Sequence, residues 1–141
     1  MESQYHQEET FKNQDYTEQG FPKGEYESCR FVNCQFTRLD LSSVKFMECT
    51  FEGCDLSMAQ IGEVAFQEVT FQNCKLMGLH FEDCNAFLFA VHFENCQLDL
   101  ASFYQCSLKT TTFRDCSLRE VDFSESDLSG VILHDCLMEG S

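Results

Sequence analysis

The chain has 141 residues, enough for one modest domain and too few for two independent cores. Twenty-four acidic against nine basic side chains leave a net charge of −15. That balance argues against nucleic acid or an anionic membrane surface as a direct partner and favours a basic protein surface. A hydrophobic content of 43% is too high for a disordered acidic tail.

From the N-terminus, residues 1–20 (MESQYHQEETFKNQDYTEQG) contain no apolar h-region, so no signal peptide is expected. No run approaches the roughly eighteen apolar residues of a membrane helix. The expectation is a cytoplasmic protein with reduced thiols. Residues 1–8 read as an N-terminal tail and 9–141 as a single repeat domain.

A five-residue unit begins at Phe11. Every fifth residue from Phe11 to Phe81 is large and apolar, and after a slip of two the series resumes at Phe93 and runs to Met138. Thirteen of the fifteen phenylalanines occupy these positions, among them Phe31, Phe51, Phe71, Phe81, Phe93 and Phe113. All ten cysteines share the phase two residues before such a position, Cys84 with Ala86 after it at the slip. Neither a helical period of 3.6 nor a strand period of 2 produces this pattern. Cysteines also recur every 20 residues, or 22 across the slip, which aligns Cys34, Cys54, Cys74, Cys96, Cys116 and Cys136. Four units therefore make one turn, and turns stack as a solenoid. The aligned cysteines read as small buried hydrophobes: no C-x2-C metal spacing occurs, and stacked side chains point the same way rather than at each other.

A polar column follows: Asn33, Gly53, Asn73, Asn95, Asp115 and Asp135, residue types suited to corners. Residues 85–91 (NAFLFAV) hold the slip, where two extra residues must bulge. Leu88 is expected to fill the core there while a phenylalanine folds over the face; the other reading makes Phe87 and Phe89 an exposed apolar contact point. No catalytic or metal spacing links His6, His80, His92 and His134, and the pair Glu82–Asp83 reads as a solvated face. An enzyme is not expected. Between Phe46 and Leu108 nine acidic residues face a single basic one, Lys75. The 20-residue step stacks Glu48 with Glu68, Glu63 with Asp83 and Asp115 with Asp135. Fifteen net charges along a rod of roughly 30 Å give about one per 2 Å, close to duplex DNA.

The units Cys54-Asp55-Leu56-Ser57-Met58, Ser126-Asp127-Leu128-Ser129-Gly130 and Val121-Asp122-Phe123 resemble those of the pentapeptide-repeat proteins, over roughly residues 9–138. The resemblance implies an all-β fold, a right-handed quadrilateral β-helix of six to seven coils. The stretches CDLSMA (54–59) and CKLMGLHF (74–81) are similar to the quinolone-resistance group of that family (Qnr and MfpA), whose long loops and C-terminal dimerisation segment this sequence lacks. What that likeness implies is a cofactor-free DNA mimic that binds DNA gyrase or topoisomerase IV through Glu48, Glu52, Glu63, Glu68, Asp83, Glu94, Phe87 and Phe89. The competing expectation is a scaffold rod with another protein partner. A homodimer through the C-terminal coil is also expected.

Overall fold

The structure, a computed structural model, describes residues 4–141. Short parallel strands recur on two sides of a rod. One sheet contains β1 (Gln4–Gln7), β3 (Gly24–Glu27), β5 (Lys45–Met47) and β7 (Ala65–Gln67). The adjoining sheet contains β2 (Thr10–Lys12), β4 (Arg30–Val32), β6 (Thr50–Glu52), β8 (Val69–Gln72), β9 (Val91–Glu94), β10 (Thr112–Arg114) and β11 (Ile132–His134). On the other two sides the coils meet through single parallel bridges, such as Gln35 with Asp55 and Asp40 with Gln60. The result is a four-sided parallel β-solenoid of seven coils.

Register follows the sequence period. Phe31 lies opposite Phe51 and Phe51 opposite Phe71, each 20 residues on, while Phe71 pairs with Phe93 across the slip. A side is only five residues long because the chain turns at its fifth residue. Asn33, Asn73, Asn95, Asp115 and Asp135 all take φ of 53–54°, the left-handed region that Asn, Asp and Gly tolerate. Small side chains at the inward position keep the wall close. At Gly24 an added Cβ would sit 2.0 Å from the Gln4 carbonyl oxygen.

The large residues fill the interior as ring stacks. Phe31, Phe51, Phe71, Phe93 and Phe113 are buried and nearly parallel, with successive centroids 4.8, 5.1, 5.4 and 5.1 Å apart. Each contact of this kind contributes about 1 kcal/mol beyond area burial. Phe81 stacks likewise on Phe103, at 4.7 Å.

Four features differ from the sequence expectation. Regular pairing starts at Gln4, inside the segment read as a tail; residues 1–3 lie outside the described residues. His6 occupies the inward position and stacks on Tyr26 at 4.8 Å, so an aromatic imidazole serves where only hydrocarbon was sought. The fold also includes one helical turn, α1 (Tyr16–Gln19), with Asp15 accepting from the Thr17 N–H at 3.0 Å and Gly20 ending it at φ 80°. Polar Gln14 and Gln19 stand there where other units carry small apolar residues. Finally, Leu133 and Cys136 in the last coil are only partly covered, because no further rung stacks on β11.

The Asp of the repeat has a structural task. Asp40, Asp55, Asp122 and Asp127 each accept a hydrogen bond from the backbone N–H two residues on, at 2.8–3.0 Å. Hydrogen bonds from Ser42, Ser124 and Ser129 hold the carboxyls of Asp40, Asp122 and Asp127 below the usual range. Such bonds stabilise fully above the unfolded carboxyl pKa of about 3.9 and are lost as pH falls through the lower folded value. The excess melting temperature of the wild type over a triple Asp40→Asn, Asp122→Asn, Asp127→Asn variant should therefore shrink between about pH 5 and pH 2. Phe71→Ala, which opens a hole in the middle of a stack, is expected to cost about 3–5 kcal/mol in chemical denaturation, and Leu133→Ala in the exposed last coil under about 1.

Candidate partner-binding surface

The interior offers no reactive group. Cys34, Cys54, Cys74, Cys96 and Cys116 form a buried column. The Sγ of Cys54 lies 3.2 Å from the Phe31 carbonyl and that of Cys74 lies 3.3 Å from the Phe51 carbonyl, each thiol donating to the coil before it. Hydrogen bonds to neighbouring thiols, and then burial, raise Cys34, Cys74 and Cys116 well above the ordinary thiol range. At Cys54 and Cys96 the flanking thiols favour the thiolate and burial opposes it. Among the described residues no cation belongs to the buried cluster around the column to hold an anion there, so it is protonated. Burial pushes Cys49 up to about 12 and Cys106 up to about 11. All ten cysteines are free.

The acidic residues divide between two sides. Glu63 and Glu68 close the two ends of the side that carries β7, Glu48 lies above Glu68, and the Glu63 N–H bonds the Asp83 carbonyl at 2.8 Å. Two acidic edges thus flank one side of the rod. Glu52 and Glu94 stand on the adjoining side, next to the far corner. The Glu52 carboxylate is paired with Arg30 at 2.8 Å, and Glu68 lies 3.6 Å from His92. Among the described residues no cationic group lies within 4 Å of Glu48, Glu63, Asp83 or Glu94. Glu48, Glu63 and Glu68 also have φ of 53–58°, a conformation that costs a residue with a Cβ about 1 kcal/mol. The like-charged stacking adds to that cost.

The slip continues the same side of the rod. Phe87 and Leu88 project into solvent, 69% and 63% exposed, and Leu88 takes φ 56°. Leu88 therefore does not fill the core. Phe89 turns in instead, 6.3 Å from the Phe81 ring, and Val91 restores the register below Val69. The reason is local: the Asn85 side chain accepts from the Phe87 N–H at 2.9 Å, and that turn carries residues 87 and 88 outward. Phe87 is thus the exposed apolar residue of the pair, and Phe89 is half-buried.

Two groupings escaped the sequence reading because stacking, not local spacing, makes them. Glu82 is not simply solvated: its Oε1 is covered and has no hydrogen-bond partner. It lies beside Tyr104 and Cys106 of the next coil, around a cleft of about 580 Å³. Asp115, His134 and Asp135 bring donor atoms within 4.8 Å of one another, all exposed, with His134 Nδ1 3.1 Å from Asp135 Oδ2. This cluster has the geometry of a surface ion pair.

A profile described as a pentapeptide repeat region matches residues 86–141, and one described as pentapeptide repeats (8 copies) matches residues 27–64. The chain belongs to the pentapeptide-repeat family. Among solved structures, this pentapeptide-repeat chain is similar to trypsin-treated QnrB1, a plasmid-mediated fluoroquinolone resistance protein, with a TM-score of 0.51 and 19% identity, over 96% of this chain and 84% of that one. It is also similar to HetL, a pentapeptide-repeat protein involved in heterocyst differentiation regulation from the cyanobacterium Nostoc, with a TM-score of 0.33 and 12% identity, over 93% and 85% of the two chains. At these identities the likeness to QnrB1 shows a shared solenoid. No curated protein matches the chain by sequence.

The thiol column gives a direct check on the interior. In the native protein a thiol reagent should reach the half-buried Cys136 first and Cys106 next, and the other eight cysteines only on unfolding, as read by mass mapping of the labelled peptides.

Proposed function

We propose that this pentapeptide-repeat protein is a non-enzymatic, cytoplasmic DNA mimic that binds bacterial DNA gyrase or topoisomerase IV and modulates its activity. The observation that carries this reading is the side bounded by Glu48, Glu68, Glu63 and Asp83, two rows of carboxylates running along a stiff rod. Glu48, Glu63 and Glu68 stand at corners where a side chain is strained, all four lie beside like charges, and among the described residues only His92 comes near, at Glu68. A basic groove built for duplex phosphates would relieve that repulsion and release its own counterions. A homodimer through the C-terminal coil belongs to the same reading; its support is the apolar surface of Ile132, Leu133 and Leu137 on the last rung.

A second reading, a scaffold rod for another protein, is favoured by one observation of its own. Exposed Phe87 and Leu88 stand beside a cleft that a duplex mimic does not need.

ATP-dependent supercoiling by gyrase, titrated with the protein, separates the two. The duplex-mimic reading expects inhibition that weakens by about tenfold or more between about 50 and 200 mM salt. It also expects inhibition to be lost in the combined Glu48→Gln, Glu63→Gln, Glu68→Gln, Asp83→Asn variant. No inhibition at high micromolar protein overturns it and leaves the scaffold rod.

A further inference from the structure

Among the described residues, the cleft at the slip adjoins the one covered side-chain polar atom that has no hydrogen-bond partner. The walls of the cleft combine the rings of Phe81, Phe89 and Tyr104, with Leu88 and Cys106, and the polar side chains of Asn85, Gln105 and Ser107. Glu82 lines the same cleft. Its Oε1 is buried and unpartnered, while its Oε2 lies 3.5 Å from His80 Nδ1. A covered carboxylate oxygen without a donor is costly, and turning the Glu82 side chain toward the cleft lets a ligand supply the missing donor. Among the described residues no lysine or arginine lies within 4 Å of Glu82, or of Glu63 and Asp83 beside it. Those three carboxylates all oppose ionisation of Cys84, behind desolvation and the neighbouring Cys106, so the field in the cleft is negative.

The occupant these walls suit has a planar cationic head and an apolar stem. The guanidinium of arginine donates in a plane to a carboxylate and lies flat on aromatic rings, whereas an ammonium is more strongly hydrated and does not. The exposed Phe87 and Leu88 at the mouth would cover apolar residues flanking that head. We propose that the cleft beneath the slip receives an arginine side chain from an extended, apolar-flanked segment of a protein partner, with Glu82 as its counter-charge. This rests on the reading of the chain as a protein-binding rod, and not on gyrase as the partner.

The test uses the full chain, labelled with nitrogen-15, and two probe peptides: acetyl-Leu-Arg-Leu-amide and its citrulline twin, which keeps the shape and removes the charge. The arginine peptide should shift amides concentrated at residues 81–89 and 104–107, and bind about tenfold or more tightly than the citrulline peptide. Glu82→Gln should erase that preference while leaving the thermal melt intact. Leu88→Ser should weaken both peptides alike, and Glu48→Gln should change neither. Equal affinity for the two peptides overturns the proposal, as does an arginine preference that survives Glu82→Gln. Shifts centred on the Glu48 and Glu68 corner would mean diffuse counter-ion attraction only, and overturn it too. Gyrase inhibition with no peptide preference refutes the cleft alone; peptide preference without gyrase inhibition refutes the duplex mimic alone.

Discussion

The axial hydrogen bonds between coils govern everything else in this molecule. Thr50 N–H bonds the Cys29 carbonyl, Thr70 N–H that of Cys49, and Gln97 N–H that of Cys74, each at 3.0 Å. They lock the 20-residue register and thereby place many side chains on their own kind. Phenylalanine falls on phenylalanine, thiol on thiol, corner asparagine on corner asparagine: Asn95 Nδ2 donates to Asn73 Oδ1 at 2.5 Å. For apolar groups this arrangement is favourable, because flat rings at about 5 Å bury one another's faces. For charged groups it is not.

The acidic edges follow from that rule. A helix or a conventional sheet can alternate charges along a surface. A rod with a fixed repeat can do so only by changing residue type from coil to coil, as Glu25 and Lys45 do on the strand side. At the corners bounding β7 the carboxylates are instead repeated, and at Glu48, Glu63 and Glu68 they stand where φ is positive. The stability they cost is affordable because the ring stacks behind them are continuous. A rigid wall and a strained acidic edge are the same structure seen from inside and outside.

The slip is where the rule lapses. Two additional residues break the stack on one side, and the cavity they leave is partly refilled by Phe89. The coil after the slip resumes full register, with Phe93 on Phe71 and Cys96 donating to the Phe71 carbonyl at 3.3 Å. The irregularity is therefore confined to one side and one corner. Confinement gives the surface a concave region with mixed chemistry, rings on the walls and an unsatisfied carboxylate oxygen beside them.

How much of this was legible beforehand divides along the same line. The sequence alone determined the five-residue unit, the 20-residue coil, the inward column from Cys34 to Cys116 and the corner column of Asn and Asp, because each is a strict period and stacking merely repeats it. It also marked residues 85–91 as the break. What it could not decide was the direction in which individual side chains turn where the period fails. Leu88 went out and Phe89 in because the Asn85 side chain captured the Phe87 N–H, a contact that no spacing announces. His6 joined the core because Tyr26 offered it a ring face. Glu82, its Oε1 covered, shares a cleft with Tyr104, 22 residues away, because Tyr104 sits in the next coil. Periodic positions are fixed by the average environment that every coil shares, which a sequence records; aperiodic ones are fixed by a particular neighbour, which only the folded chain supplies.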